Sequence, residues 1–283
     1  MFDPKLLSLF LETVFLEDIG DGDHTSLSVI PAQTTGKAQL LVKEPGILAG
    51  VEVAGLVFQH FDNSLSLEIL LQDGTPVQPG DVAFIVSGKV LSILQCERIV
   101  LNIMQRMSGI ATRTRQYADC LQGLSTRVLD TRKTTPGMRI FDKAAVKIGG
   151  GENHRMGLYD MILIKDNHID YAGGIPEAIL AARNYLQSVG KSLKIEIEAR
   201  NLRELEQILT VGGIDRIMLD NFTPETTREA IRLIAGKYET ESSGGITLNN
   251  LREYAECGVD YISVGALTHQ IKSLDLSLKA IDF

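Results

Sequence analysis

The sequence predicts an α/β protein in two parts, a small α+β unit followed by a parallel β/α array. Three observations predict it. Strand-like runs are grouped before residue 90, strand, loop and helix alternate in regular succession after residue 126, and a long helical stretch lies between. The 283 residues, 44% hydrophobic and 23% charged, have an ordinary globular composition with room for one large or two modest domains.

Asp3-Pro4 is a cap followed by a first-turn proline, and Leu7, Phe10, Leu11, Val14 and Phe15 recur behind it at helical spacing. Glu12 interrupts this apolar run and no small-residue cleavage site follows, so it is read as a helix and not a signal. After the polar loop D-I-G-D-G-D-H-T-S come a β-like run at 38–43, a helical run at 51–61, and β-like runs at 65–71 and 82–87, the last two separated by V-Q-P-G-D. Asp18, Asp21, Asp23 and His24 match neither an EF-hand nor a zinc signature and are assigned to a turn and caps. Residues 91–122 read as one or two long helices with Ser108-Gly109 as the break, which places the domain division there: 1–110, then 111–271.

From Thr126 strand-like runs fall at 128–130, 161–164, 195–198, 217–220, 238–242 and 262–264. Helical patterns at 176–186, 202–209, 224–234 and 248–256 supply the crossovers. Six runs are short of the eight of a complete barrel, leaving a barrel with strands missing or an open sheet. The tail L-D-L-S-L-K-A-I alternates with period two and is expected to be a strand returning to the first domain from the segment 272–283.

Net charge −8 and the lack of any Lys/Arg run exclude a nucleic-acid surface. Cys96, Cys120 and Cys257 are odd in number and widely spaced, which fits a reducing cytoplasm, and no apolar run approaches the roughly 18 residues that span a bilayer. Against this acidic background Arg132, Lys133, Arg139, His154, Arg155 and Lys165 gather positive charge within residues 130–168, which calls for a small anionic ligand.

In parallel β/α folds the residues ending the strands converge on one face. Those ends here are Asp130-Thr131-Arg132-Lys133, Lys165-Asp166-Asn167-His168, Glu196 and Glu198, Asp220-Asn221, Ser242-Ser243-Gly244-Gly245, and Ser263-Val264-Gly265-Ala266. Any one alone reads as a solvated loop residue or a cap; their shared position favours a site. The loops S-S-G-G-I-T and S-V-G-A lie where the last βα units of barrels bind phosphate. Glu198 and Asp220 are candidates to hold Mg²⁺, against a structural ion pair for Glu198 and a helix cap for Asp220. A buried dicarboxylate needs more than one cation, which Arg132, Lys133, His154, Arg155 and Lys165 could supply.

L-D-T-R-K-T-T-P-G, G-G-G-E-N-H-R-M-G-L-Y-D, I-L-I-K-D-N-H-I, I-M-L-D-N, S-S-G-G-I and D-Y-I-S-V-G-A-L-T-H together resemble quinolinate phosphoribosyltransferase, a type II phosphoribosyltransferase, over nearly the whole chain, as do the E-R-x-x-L-N and S-G-I-A-T segments within 97–112. The resemblance implies an N-terminal α/β sandwich beside an incomplete α/β barrel. It implies condensation of quinolinate with phosphoribosyl pyrophosphate to nicotinate mononucleotide, pyrophosphate and carbon dioxide in de novo NAD synthesis. The family's quinolinate contacts fall on Arg132, Lys133, His154, Arg155 and Lys165, with Thr131 beside them. Glu198 and Asp220 match acidic residues near the ribose and Mg²⁺, and Ser243, Gly244, Gly245, Ser263, Val264, Gly265 and His269 match the phosphate-site segments. Arg98 matches an arginine inserted into a neighbouring subunit's site, implying a homodimer or a larger assembly of dimers. Three rivals remain: a related phosphoribosyltransferase with another acceptor, a Schiff-base lyase using Lys165, and a non-catalytic phosphate-sugar binder.

Overall fold

The computed structural model describes residues 3–281. In chain order these form α1 (Pro4–Ile19), α2 (His24–Val29), β1 (Thr35–Val42), β2 (Gly46–Ile47), α3 (Val51–Phe61), β3 (Ser66–Ile69), β4 (Pro76–Val77), β5 (Val82–Lys89) and α4 (Val90–Cys120). There follow β6 (Arg127–Leu129), α5 (Arg139–Ile148), β7 (Ile162–Ile164), α6 (Asp166–Ala172), α7 (Ile175–Val189), β8 (Ile195–Ala199) and α8 (Leu202–Val211). The last elements are β9 (Arg216–Asp220), α9 (Pro224–Ile234), β10 (Glu239–Ser243), α10 (Leu251–Ala255), β11 (Tyr261–Ser263), α11 (Ala266–His269) and β12 (Leu276–Ile281).

The chain divides into two compact units, one of residues 1–115, 134–150 and 268–283, the other of 116–133 and 151–267. These units differ from the sequence division at 110/111 in two respects. Residues 134–150, carrying α5, belong to the first unit, and α4 runs unbroken through Ser108-Gly109. Ser108 Oγ donates to Ala49 O and accepts from Ala49 N, so its hydroxyl bonds another segment and leaves the helix ladder intact. A Cβ at Gly109 would collide with the Lys272 carbonyl. This glycine permits close backbone approach; it does not end a helix.

In the first unit an antiparallel sheet has the order β12-β1-β5-β3, and β2 pairs with β4. The tail strand is thus the edge neighbour of β1, with Leu278 opposite Leu40 and Leu276 opposite Val42, all buried. Asp3 caps α1 by accepting from Lys5 N and Leu6 N, and Asp23, read as a cap or turn, caps α2 by accepting from Ser26 N. The helix α2 is too short for a periodic signal, and α5 lay unrecognised in a polar stretch.

The second unit holds a parallel six-stranded sheet of order β6-β11-β10-β9-β8-β7. Ile195, Ile197 and Ala199 of β8 and Ile217 and Leu219 of β9 join Ile179, Leu205, Ile208, Ala230 and Ile234 of the helices in one apolar cluster. By the two-residue alternation of strands, Glu196, Glu198, Arg216, Met218 and Asp220 point to the opposite, inner face. Strands β6 and β7 are the two edges and do not pair with each other, so the barrel is incomplete. Residues 152–155 span part of that gap. Glu152 N donates to Val128 O, Asp130 N donates to Glu152 O, and Arg155 Nη1 donates to Met161 O just before β7. A loop that carries candidate site residues thus borders the open edge of the barrel.

Candidate active site

Within the second unit Thr131, Arg132, Lys133, His154, Arg155, Lys165, Glu198, Asp220, Ser243, Gly244, Gly245, Ser263, Val264 and Gly265 lie at or just beyond the C-terminal ends of β6 to β11, or on the loop that borders β6. Arg98, exposed on α4, and His269, exposed at the end of α11, belong to the first unit, as does Arg139.

The loop 152–155 is fixed by Asp130, fully buried at the end of β6. Its Oδ1 accepts from His154 N at 2.9 Å and its Oδ2 from Asn153 Nδ2 at 3.1 Å. This holds Arg155 beside Arg132. Burial first, and the Arg132 charge second, lower the Arg155 pKa from its ordinary guanidinium value. Two cations side by side create a place for an anion, whose charge would offset the effect of Arg132 on Arg155. Lys133, whose backbone N–H donates to Thr131 Oγ1, extends the same loop.

Lys165 Nζ donates to Glu198 Oε1 at 2.9 Å, and Asp166 N donates to Glu198 Oε2. The lysine side chain is 47% exposed while Glu198 is nearly buried. Burial, followed by the charge of Glu198, raises the Asp220 pKa from the usual carboxylate value. Asp220 Oδ2 accepts from Asn221 Nδ2, and α9 is capped by Thr223, so Asp220 is no helix cap. The ion-pair alternative for Glu198 is real, but its partner Lys165 is itself a site residue. A lysine held in a carboxylate pair also lacks the apolar pocket that activates a Schiff-base amine.

The glycine loop after β10 is built by close approach. Asn221 sits at φ 56° with its N–H donating to Ser243 O, and a Cβ on Gly244 (φ 93°) would run into the Asn221 amide. Backbone is therefore exposed at the strand end where side chain would otherwise stand.

Beneath these ends the inner face holds a polar layer that motif reading overlooked. His154 Nδ1 accepts from Arg155 N at 2.7 Å, while its Nε2 lies 3.0 Å from Glu196 Oε2 and 3.5 Å from Glu241 Oε2. Arg216 Nη1 donates to Glu241 at 3.2 Å, Arg216 Nε and Nη2 donate to Glu239, and the guanidinium lies 4.1 Å from the Tyr261 ring centre. Burial pushes Glu196 up to about 7 and Glu241 up to about 8. The available signal was charge at alternate positions in I-E-I-E and E-T-E, strands whose other face is apolar or buried.

Two family models match the chain: quinolinate phosphoribosyl transferase, N-terminal domain, over residues 23–108, and quinolinate phosphoribosyl transferase, C-terminal domain, over residues 110–279. The chain belongs to the quinolinate phosphoribosyltransferase family. Among relatives, quinolinate phosphoribosyltransferase (decarboxylating) 1b of Nicotiana tabacum is 44% identical over 284 residues, covering 95% of this chain and 81% of that protein. The chloroplastic nicotinate-nucleotide pyrophosphorylase (carboxylating) of Arabidopsis thaliana is 43% identical over 96% of this chain and 82% of that protein. The crystal structure of NadC from Streptococcus pyogenes matches with a TM-score of 0.92 at 38% identity, covering 100% of this chain and 99% of that one. The sandwich and incomplete barrel expected of a quinolinate phosphoribosyltransferase are the folds of the two units described above. Among the described residues no helix is long and apolar enough to cross a membrane.

Proposed function

We propose that the protein joins quinolinate to phosphoribosyl pyrophosphate with loss of carbon dioxide, giving nicotinate mononucleotide and pyrophosphate in de novo NAD synthesis. What supports this reading is that a cationic loop, a carboxylate pair and two glycine-containing loops lie at the strand ends of one unit. Arg132, Lys133, Arg155 and Lys165 would hold the two pyridine carboxylates, with Thr131 and His154 shaping that loop. Ser243, Gly244, Gly245, Ser263, Val264 and Gly265 would receive phosphates of the donor through backbone N–H groups and hydroxyls.

The pyridine nitrogen attacks ribose C1 as the bond to pyrophosphate oxygen breaks, and the pair in that bond leaves with pyrophosphate. Positive charge developing at C1 is stabilised by the carboxylates of Glu198 and Asp220. The resulting pyridinium then accepts the electron pair released when the bond from ring C2 to the carboxylate breaks, and a proton joins C2. Lys133 and Lys165 act electrostatically at the carboxylates, and interactions with the retained 3-carboxylate position the ring for both steps.

Glu198 and Asp220 offer hard carboxylate oxygens at adjacent strands, and Asp220, its pKa raised by burial first and by the charge of Glu198 second, stands where a cation would stabilise both carboxylates. These residues would hold Mg²⁺, which when bound supplies charge neutralisation of the leaving pyrophosphate. A cytoplasmic location is supported by three cysteines that form no disulfide.

Purified protein given quinolinate, phosphoribosyl pyrophosphate and Mg²⁺ is expected to release carbon dioxide and nicotinate mononucleotide in equal amounts. No product, or equal turnover of nicotinate, rejects this reaction. We further propose a homodimer, with room for larger assemblies, in which Arg98 serves the neighbouring subunit's site. Mixing inactive Arg98→Ala with inactive Lys133→Ala should then restore about a quarter of the wild-type activity per mixed dimer population, as expected from random pairing in which half the dimers carry one intact site of two. Subunits that exchange yet stay inactive rule the shared site out.

A further inference from the structure

Of the acceptor-side residues His154 is the one whose ring is turned inward. It is buried, its Nδ1 accepts the Arg155 backbone N–H at 2.7 Å, and its Nε2 faces Glu196 Oε2 at 3.0 Å and Glu241 Oε2 at 3.5 Å. Accepting at Nδ1 requires that nitrogen to be unprotonated, which leaves the ring proton on Nε2, the nitrogen that lies within 3.5 Å of both carboxyls. Glu241 is itself held by Arg216, whose Nη1 donates to its Oε2. Asp130 grips the same loop from its other side through His154 N.

We propose that Glu196 and Glu241 are positioning residues that act through His154: they lock its Nε2–H tautomer so that Nδ1 anchors the Arg155 backbone, and Arg155 thereby meets the acceptor carboxylate in a fixed pose. The acceptor specificity of the site is then set in part by two carboxyls within the barrel that touch no substrate. The mechanical reason is the open edge between β6 and β7. Arg155 stands on a loop, not a strand, and a loop residue that must bind a planar carboxylate in a bidentate fork needs an anchor that a strand would provide by itself. The inference rests on the acceptor reading of Arg155 given above.

The first measurement is independent of activity. In full-length protein labelled with ¹⁵N-histidine, long-range ¹H–¹⁵N correlation should show His154 with an unprotonated Nδ1 and a protonated Nε2, assigned by its loss in His154→Asn. Glu196→Ala should disturb that signature, and Glu196→Gln, which keeps an acceptor oxygen, should restore it. In kinetics Glu196→Ala is expected to raise KM for quinolinate about tenfold with KM for phosphoribosyl pyrophosphate little changed, while Glu196→Gln recovers most of the loss. His154→Asn, which places an amide oxygen where Nδ1 stood, should retain more quinolinate affinity than His154→Gln. A protonated Nδ1 in the wild type overturns the proposal, as does an unchanged quinolinate KM in Glu196→Ala or a stoichiometric divalent metal bound by these three side chains. Should the wild type fail to turn over quinolinate, the reaction assignment falls, while the tautomer experiment still tests the anchoring geometry.

Discussion

Removing the Asp220 carboxylate should lower kcat by about 10²–10³-fold while quinolinate binding, measured by calorimetry, stays near the wild-type value. The estimate follows from what the side chain touches: the Asp220 carboxylate accepts from Asn221 and lies within the fields of Glu198 and Lys165, so its loss removes charge from the donor side and breaks no bond to the cationic loop. Glu198 differs. Its Oε1 holds Lys165 and its Oε2 accepts from Asp166 N, so Glu198→Ala both strips the donor side of charge and releases a lysine from the acceptor side. A fall in kcat together with a rise in quinolinate KM is expected for Glu198→Ala, and a fall in kcat with unchanged KM for Asp220→Ala. If Asp220→Ala keeps kcat within about tenfold of wild type, the carboxylate pair is not where positive charge develops.

The second large effect concerns stability. Arg216 is a buried cation on the inner face of the sheet, shared among Glu241, Glu239 and the Tyr261 ring. Replacing it with Met leaves buried carboxyls uncompensated, which typically costs about 3–5 kcal/mol. At about 2–4 °C per kcal/mol for a chain of this size class, Tm should fall by roughly 6–20 °C. The loss should deepen with pH, for a reason of sign. Glu196 and Glu241 have pKa values raised to about 7 and about 8 in the folded protein, so the stability they contribute as neutral acids is present below the unfolded value and is lost as pH rises through that range. Without Arg216 these values move further up, and the variant should lose more stability than the wild type between about pH 6 and pH 9. Adding Glu241→Gln should recover part of the loss and flatten its pH dependence. Melting curves taken across that range decide the matter: an Arg216→Met protein that melts like wild type at every pH would falsify the assigned role.

The alternation of I-M-L-I, I-E-I-E and I-M-L-D with helical patterns was enough to place all six parallel strands within a residue or two, because strands covered by helices on one face must be apolar on that face. The polar strand ends were legible for the same reason: a parallel array brings them to one side whatever the loops do between them. The barrel floor was not legible. Glu241 lies in the strand-like run 238–242, but E-T-E-S-S has no apolar face to mark which side is inward, and strand pairing with β9 and β11 settles it. The continuity of α4 was also hidden, since a glycine reads as a break unless the segment that packs against it, here Lys272 and some 160 residues distant, is known.

The sequence by itself determined the two-part α/β organisation, the six strand runs, the tail strand and the resemblance to quinolinate phosphoribosyltransferases, all carried by local periodicity and contiguous motifs. Tertiary structure alone decided which way His154 faces, that Glu198 engages Lys165, that Arg216 lies among carboxyls, and that a loop borders the open edge of the barrel. Each of these depends on pairing between residues distant in the chain, and local periodicity holds no record of the partner.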